Sequence, residues 1–422
     1  MIIANSNIAR SWRQLRQVKY LLGPLVLFQL WTALQLLALP LDWLQLFSPF
    51  SADVYQSTFT TTEHVVPLSA PISVPLSIDP AQTKIALRKG ISYCLFVMNL
   101  AWLITHRQRL KLLCICIVTA GTCQAFYGTM QALAGGGTSL VWGLPNTSSA
   151  NGSFVYRNHF ANFLLLCLSI GSGLLVTQLY RSRANSWSEH INRLLATLLG
   201  SKIIIRLALV IMVIALVMSR SRMGNSAFFA TTIITSVLAL IFYRQRPQAF
   251  TIFILSLLAI DTLIVGSWFG LEQVKQRLEA TVMSQEIRVD VIEWTQELVQ
   301  QTLWTGTGGG SFYTVFPAYQ QAKIAFFDHA HNEYLQFIIE YGVIASALLG
   351  IMVIASLLQT LRTQYLRQSN FMKGIAFGCA MAIIGMMIHI SVDFNLQSPA
   401  NTLYFLTVLT LCWLTKNMPN KR

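Results

Sequence analysis

Residues 160–179, FANFLLLCLSIGSGLLVTQL, decide the fold class of this chain. The stretch holds 20 consecutive residues without a single Asp, Glu, Lys or Arg. Each residue of an α-helix adds about 1.5 Å, so a segment of this length matches the roughly 30 Å apolar core of a bilayer. The stretch therefore predicts a membrane-spanning helix.

Similar apolar stretches recur along the whole chain. The ten predicted spans are 20–39, 87–105, 112–133, 160–179, 203–219, 225–243, 249–267, 334–358, 374–392 and 401–415. Of the 422 residues, 54% are hydrophobic and only 11% are charged, whereas soluble proteins carry about a quarter charged residues. This composition excludes a soluble domain, a disordered chain and a small disulfide-linked scaffold. We predict an all-α polytopic membrane protein with about ten transmembrane helices.

The distribution of charge predicts how these helices are oriented. The chain has 30 Lys and Arg against 16 Asp and Glu, a net charge of +14. When the N-terminus is placed in the cytoplasm, 20 basic residues lie on the cytoplasmic side, and Glu189 is the only acid there. This bias follows the positive-inside rule. It indicates a multi-pass protein of the bacterial inner membrane with both termini cytoplasmic, and it explains the basic charge without a nucleic-acid partner.

The predicted spans divide the chain into three parts. Residues 1–267 form an N-terminal bundle of seven spans with outer loops at 40–86 and 134–159, and residues 334–422 form a C-terminal bundle of three spans. Between the bundles, residues 268–333 form the largest outer loop. Apolar residues recur in this loop every three or four positions among charged ones, which predicts amphipathic helices outside the bilayer.

The most reactive group of side chains precedes the eighth span, where residues 328–333 read DHAHNE. A histidine here would serve as a general base, because imidazole titrates near neutral pH. Alternatively, the histidines and acids would bind a metal, although helical zinc pairs prefer a spacing of four and no third ligand stands at a recognisable spacing. In a third interpretation the histidines are structural and Asn332 caps the following helix. The residues alone leave all three open.

A short outer hairpin carries a second group, with the sequence SRSR at 219–222. The positive-inside rule disfavours Arg220 and Arg222 at this place. Because a guanidinium group matches two phosphate oxygens, both are candidate phosphate ligands. Pairing with acids of the large loop, such as Glu286 or Asp290, is the alternative.

Two further arginines lie on outer segments. Arg157 stands at the mouth of the fourth span, and Arg288 lies among acids in the large loop. Taken alone, Arg288 is typical of a solvated ion pair on an amphipathic helix.

The remaining candidates also fall on the outer face. Residues 306–312, GTGGGSF, would either present peptide N–H groups to a phosphate or form a flexible turn. His389 and Asp393 end the ninth span, four residues apart. A transporter would instead place ionisable groups at mid-depth in broken helices. The clustering therefore favours a site at the outer surface.

The motifs around the histidines resemble the signature of the O-antigen ligase and polymerase superfamily. His331 and Asn332, then nine residues and Gly342, follow the family pattern, although Ala345 stands where the family has Gly, Thr or Tyr. Ser221-Arg222 resembles the family's Ser-Arg-Gly turn with one residue inserted before the glycine.

Other segments extend the resemblance from about residue 70 to 400. WTGTGGGSF at 304–312 is similar to the family's glycine-rich turn, and Arg288 matches an arginine ahead of that turn. FVYRNHFAN at 154–162 and SIDPAQT at 77–83 resemble exopolysaccharide-type members.

The resemblance implies a periplasmic membrane glycosyltransferase. Family members usually have about twelve spans, which leaves the number here at ten or twelve. The donor would be a glycan on undecaprenyl diphosphate, and no nucleotide sugar, metal or other cofactor would be needed. His331 would be the catalytic base, and Arg222 and Arg288, helped by Arg220 and Arg157, would neutralise the diphosphate. The supporting residues would be His329, Asn332, Glu333, Gly308, Gly310, Gly342, His389 and Asp393.

The acceptor distinguishes the members of the family. Lipid A-core would indicate an O-antigen ligase, a growing glycan a polymerase, and a protein hydroxyl an O-oligosaccharyltransferase. The exopolysaccharide-like segments favour a ligase-like enzyme or a polymerase over protein glycosylation. Outside the enzymes, a lipid-linked glycan exporter or binder would need the arginines but not His331.

Overall fold

The computed structural model describes residues 12–62, 73–135, 149–178, 201–242, 290–321 and 326–418, with a few isolated residues in 138–143 and 250–255. Arg288, Glu286 and most of the predicted seventh span lie outside this part.

Helices dominate the described residues, beginning with a helical segment at 12–17. In chain order the further elements are α1 (Lys19–Leu34), β1 (Ala38–Pro40), α2 (Leu41–Phe47), α3 (Pro49–Thr62), β2 (Ser73–Pro75), α4 (Pro80–Leu103), α5 (Arg107–Leu133), α6 (Arg157–Thr177), α7 (Ser201–Met218), α8 (Arg222–Phe242), α9 (290–302), α10 (Phe312–Val315), α11 (Glu333–Leu366), α12 (Asn370–His389) and α13 (Pro399–Asn417). Short 3₁₀ turns lie at Phe316–Ala318 and Asn395–Gln397.

The helices confirm an all-α membrane protein. Among the described residues, five helices are long and apolar enough to cross a membrane: α5, α6, α8, α11 and α12. Helices α1, α4, α7 and α13 fall on four more of the predicted spans. The total number of spans and the three-part division remain predictions, and of the amphipathic helices predicted in the large loop the described residues contain α9.

The first outer loop contains a short two-stranded sheet that the sequence did not predict. Strands β1 and β2 pair in an antiparallel manner, with Leu39 opposite Val74. The following helix, α4, begins at Pro80, well before the predicted span at 87. Asp79 caps it by accepting a hydrogen bond of 3.0 Å from the N–H of Gln82, and proline suits the first helical position because no partner for its nitrogen is needed.

Helices α6 and α12 form the centre of the bundle, and nearly all of their residues are buried. Glycines allow the two backbones to touch. A Cβ atom added at Gly173 would lie 2.6 Å from the carbonyl oxygen of Gly374, and one added at Gly378 would lie 2.6 Å from that of Ser169. Small residues of this kind drive helix association where water supplies no hydrophobic force.

One end of the bundle gathers the outer segments, and we call it the loop end. Helices α4, α6, α8, α11 and α13 begin there, whereas α1, α5, α7 and α12 end there. Hydrogen bonds join the helix starts directly: the amide of Asn401 on α13 donates to the carbonyl oxygen of His159 on α6 at 3.1 Å. All candidate residues that the structure describes lie at this end.

Candidate active site

His331 stands immediately before helix α11. The side-chain oxygen of Asn332 accepts hydrogen bonds from the N–H groups of Tyr334 at 3.0 Å and Leu335 at 3.2 Å, which confirms the predicted cap. The backbone of His331 is left-handed, with φ of 50°. Side chains with a Cβ rarely adopt this conformation, and it concentrates at functional sites. The cap and the strained residue together hold the half-buried imidazole at the helix boundary.

The ring of Phe394 contacts three histidine rings. Its ring centroid lies 4.4 Å from that of His329, 5.0 Å from His331 and 5.0 Å from His159. Tyr156 packs against the same ring at 5.6 Å. We call these five residues the aromatic cluster. It joins the start of α6, the DHAHNE loop and the connection between α12 and α13.

Glu333 anchors the start of α11 to that connection. Its carboxylate accepts a hydrogen bond of 2.7 Å from the N–H of Leu396, and its own N–H donates to the carbonyl oxygen of Ile390 at 3.0 Å. The hydroxyl of Tyr334 donates to the carbonyl oxygen of Met387 at 2.8 Å. Glu333 and Asn332 thus both hold backbone groups around His331.

His389 and Asp393 lie close together at the end of α12. Helix α12 ends at His389, so the helix does not continue to Asp393. The Nε2 atom of His389 nevertheless lies 4.0 Å from the Oδ2 atom of Asp393, and both side chains are buried. The other carboxylate oxygen of Asp393 accepts a hydrogen bond of 2.9 Å from the N–H of Phe394. Asp393 therefore holds the peptide N–H of Phe394, and His389 lies beside its carboxylate.

Gln336 connects the histidine loop to the glycine-rich turn. Its Nε2 atom lies 3.1 Å from the Nδ1 atom of His329 and donates to Glu340 Oε1 at 3.1 Å, while its oxygen accepts a hydrogen bond from the N–H of Ala330. The other oxygen of Glu340 accepts a hydrogen bond of 2.9 Å from the N–H of Gly310. Because an amide nitrogen can only donate, Nδ1 of His329 accepts and the ring carries its proton on Nε2.

Burial lowers the pKa of His329 below its ordinary value of 6.5, and neighbouring Asp328 only partly opposes this effect. A lowered pKa means that the fold favours the neutral ring, so this contribution to stability is present above pH 6.5 and is lost as the pH falls below it. We expect the wild type to lose more thermal stability between pH 7.5 and 5 than His329→Gln does. Unfolding in detergent at both pH values measures the difference.

The control for that experiment is His106→Gln, which changes an exposed histidine at the other end of the bundle. It should follow the wild type. Equal losses for the wild type and His329→Gln would show that protonation of His329 does not limit acid stability.

The glycine-rich turn forms hydrogen bonds to the backbone of helix α11 where this helix is interrupted. Gly342 has φ of 78° and ψ of 165°, which interrupts the helix. The carbonyl oxygens of Ile339 and Glu340 therefore accept hydrogen bonds from the N–H groups of Thr307 at 2.8 Å and Gly308 at 2.9 Å. With the N–H of Gly310 on the Glu340 carboxylate as well, these donors are engaged within the protein. The turn is packed rather than flexible, and these donors position α11.

Three candidate arginines lie beside two helix starts, and all are exposed. Arg157 and Arg222 are the first residues of α6 and α8, and Arg220 stands in the preceding turn with φ of 53°. The hydroxyl of Ser221 donates to the side-chain oxygen of Asn158 at 2.9 Å and so joins the two starts. A cation at a helix N-terminus interacts unfavourably with the helix dipole. An anion bound there would interact favourably both with the dipole and with the arginine.

The structure thus brings together His331, His329, Asn332, Glu333, His389 and Asp393, with Arg157, Arg220 and Arg222 nearby. It assigns Gly308, Gly310 and Gly342 to the joint between the turn and α11. Sequence reasoning missed Phe394, Gln336 and the part that His159 and Tyr156 play. The spacing of Gln336 and Glu340, four residues apart on a helix, was the one available signal. Within the described ranges, no three His, Cys, Asp or Glu side chains lie close enough to hold a metal ion.

Residues 207–350 match a family model described as O-antigen ligase. The match runs from α7 through α8 and the large loop into α11, and it includes Arg220, Arg222 and His331. No curated protein matches the chain. The family resemblance is confirmed over residues 207–350, and the match supports a membrane enzyme that transfers glycans.

Proposed function

We propose that this protein transfers a glycan from undecaprenyl diphosphate to an acceptor hydroxyl at the loop end, on the periplasmic side of the inner membrane with both termini cytoplasmic. The observation that carries the proposal is the double attachment of residues 156–159. Tyr156 and His159 pack on Phe394, whereas Asn158 bonds Ser221 beside Arg222. One short segment thus places the cationic helix starts next to the cluster that holds His331.

The arginines provide the leaving-group half of this chemistry. Breaking the bond between the sugar and the diphosphate leaves negative charge on the diphosphate oxygens. Arg157, Arg220 and Arg222, together with the starts of α6 and α8, would neutralise that charge. Arg288 would join them from the large loop.

His331 provides the other half. The acceptor oxygen forms the new glycosidic bond while its proton passes to the imidazole. His329 is less suited to this role, because it is bound through Nδ1 to Gln336 and held in place from both sides of the loop. It would instead shape the pocket. Glu333, Asn332, His389 and Asp393 would hold the surrounding backbone.

A transfer assay with purified protein tests the proposal through Arg222. The substrates are a glycan on undecaprenyl diphosphate and, in turn, lipid A-core, a polysaccharide and a peptide. Arg222→Ala should lower the rate by about 10²–10³-fold, as loss of one charge-stabilising donor does. Arg222→Lys should fall between, because lysine keeps the charge but loses the planar fork. Thermal unfolding should be unchanged, since the side chain is exposed.

Arg206→Ala is the matched control, because Arg206 is an exposed arginine far from the loop end on α7. Its activity should equal that of the wild type. A wild-type rate and donor dependence in Arg222→Ala would refute a role in diphosphate binding. Loss of activity on chelation, with recovery on adding a divalent ion, would contradict the metal-independent mechanism.

A further inference from the structure

A buried glutamine at the end of α1 joins helix α11 to the glycine-rich turn. Gln35 follows directly after α1, and its side chain is completely buried. Its side-chain nitrogen donates to the carbonyl oxygen of Glu340 at 2.9 Å and to that of Thr305 at 3.0 Å. Because both partners are acceptors, only the NH₂ group of the amide can face them. A single side chain therefore bonds the helix and the turn at once.

The break in α11 explains why donors are needed at this place. Gly342 interrupts the helix, and the N–H of Val343 donates to a carbonyl oxygen outside the helix. A buried carbonyl oxygen that loses its helical partner needs another donor. The indole N–H of Trp31 on α1 donates to the carbonyl oxygen of Tyr341 at 2.8 Å. Helix α1 therefore completes the set of donors that the glycine-rich turn begins.

The first outer loop holds the same joint from a third side. The N–H of Ser77 donates to the carbonyl oxygen of Gln35 at 2.9 Å, and the N–H of Ile78 donates to that of Thr307 at 2.8 Å. Gln35 is thus bonded to this loop through its backbone and to the turn and α11 through its side chain. Both Gln35 and the loop lie outside residues 207–350, the part of the chain that matches the family model.

Glu340 connects this joint to the histidines. Its carbonyl oxygen accepts from Gln35, while its carboxylate accepts from the amide of Gln336. Gln336 also bonds the Nδ1 atom of His329. A displacement of the glycine-rich turn would therefore move Glu340 and reach, through Gln336, the DHAHNE loop that carries His331.

We propose that Gln35 is a positioning residue for glycan transfer, which sets the place of the DHAHNE loop by fixing the glycine-rich turn against the break in α11. This deepens the proposed function and rests on it in one respect, since the loop matters for transfer only if His331 is the base. Helix α1 packs against α4, α11 and α13, whereas the arginines stand at the starts of α6 and α8. Gln35 should therefore affect the chemical step and not the binding of the donor.

Transfer kinetics of the full-length protein test this distinction. Gln35→Met keeps the length of the side chain but removes both donors, and it should lower kcat about 10- to 100-fold, because a displacement of about 1 Å can cost about 10²-fold. Gln35→Asn keeps the amide but is too short to reach both carbonyl oxygens, so its kcat should fall between those of Gln35→Met and the wild type. KM for the donor should stay unchanged in both variants, as expected when ground-state binding is intact.

The matched control is Gln359→Met. Gln359 is a buried glutamine near the other end of α11, and its amide donates to the hydroxyl of Thr363 at 3.0 Å. This variant should keep the kcat and KM of the wild type. A raised donor KM with an unchanged kcat in Gln35→Met would place Gln35 in donor binding and overturn the positioning role.

A double-mutant cycle tests the path through Gln336. Gln336→Met alone should also lower kcat, because it removes the bonds to Glu340 and His329. If Gln35 and Gln336 act on the same loop, the double variant should be no slower than the slower single variant. Losses that multiply would show that the two side chains act independently and would overturn the path.

Hydrogen exchange measured by mass spectrometry follows the same link without relying on activity. In Gln35→Met, peptides that cover 304–312 and 328–336 should exchange faster, because local opening becomes easier once these bonds are lost. A peptide that covers 160–170 on α6 should exchange as in the wild type. Faster exchange at 304–312 alone would limit Gln35 to a structural role in the joint and overturn the proposal.

The outcomes separate this proposal from the proposed function. Wild-type transfer by His331→Gly would refute the general base, yet faster exchange at 328–336 in Gln35→Met would still show that Gln35 holds the DHAHNE loop. Loss of transfer in His331→Gly, with a wild-type kcat in Gln35→Met, would leave the base standing and overturn the positioning role. If Gln35→Met does not fold, Gln35→Asn decides: wild-type kcat and exchange in that variant would overturn the proposal.

Discussion

His331→Ala should abolish glycan transfer, with a loss of about 10²–10⁴ in rate, because general-base groups contribute on that scale. The protein should still insert in the membrane and bind its donor, since the arginines are untouched. His329→Ala should keep partial activity, because that ring shapes the pocket through Gln336 and Phe394. Complementation of a deletion strain, scored by surface glycan and by the amount of protein in the membrane, measures both.

The left-handed backbone at His331 makes a sharper comparison possible. Alanine is strained at φ of 50°, whereas glycine and asparagine tolerate this conformation. His331→Gly and His331→Asn should therefore be as inactive as His331→Ala if the imidazole is the base. Recovery of activity in either would show that the backbone shape, not the ring, is what matters. His106→Ala, at an exposed histidine that also precedes a helix, is the control. Full complementation by His331→Ala, with wild-type surface glycan at a normal amount of protein in the membrane, would end the general-base assignment and favour a non-catalytic exporter or binder.

Gly342→Ala should unfold the joint between α11 and the glycine-rich turn. The added Cβ atom would lie 2.2 Å from the carbonyl oxygen of Trp304, and its three nearest neighbours are all backbone atoms. The φ of 78° adds strain of about 1–3 kcal/mol for any residue with a side chain. We expect a strong fall in thermal stability and near-complete loss of transfer, because the donors from Thr307 and Gly308 would lose their acceptors.

Gly350→Ala tests the same substitution two turns further along α11. Its Cβ atom would meet nothing within 4 Å, so the variant should gain up to about 1 kcal/mol from the better helix propensity of alanine. Thermal unfolding and the transfer assay on both variants give the comparison. Similar melting temperatures for the two would show that the break at Gly342 does not determine stability.

Much of the fold was predictable because it depends on local composition. An apolar run of about 20 residues becomes a helix in a bilayer wherever the chain then goes, since no other conformation satisfies its peptide groups. The cap at Asn332 was predictable for a similar reason, because the side chain bonds peptide groups two and three residues away. The start of α4 was predicted too late, because Asp79 and Pro80 mark the start of a helix but are not hydrophobic.

The sequence by itself determined the membrane class, the helical segments and the short list of reactive residues, all of which follow from spacing along one chain segment. Only the tertiary structure decided how these residues meet. Phe394 gathers His159, His329 and His331 from segments far apart in the chain, and no periodicity reports such contacts. Likewise, the role of the break at Gly342 is visible only in the folded structure, where the turn at 304–308 forms hydrogen bonds to the backbone at the break. Contacts between segments far apart in the chain depend on how the whole bundle packs. A pattern along the sequence therefore does not predict them.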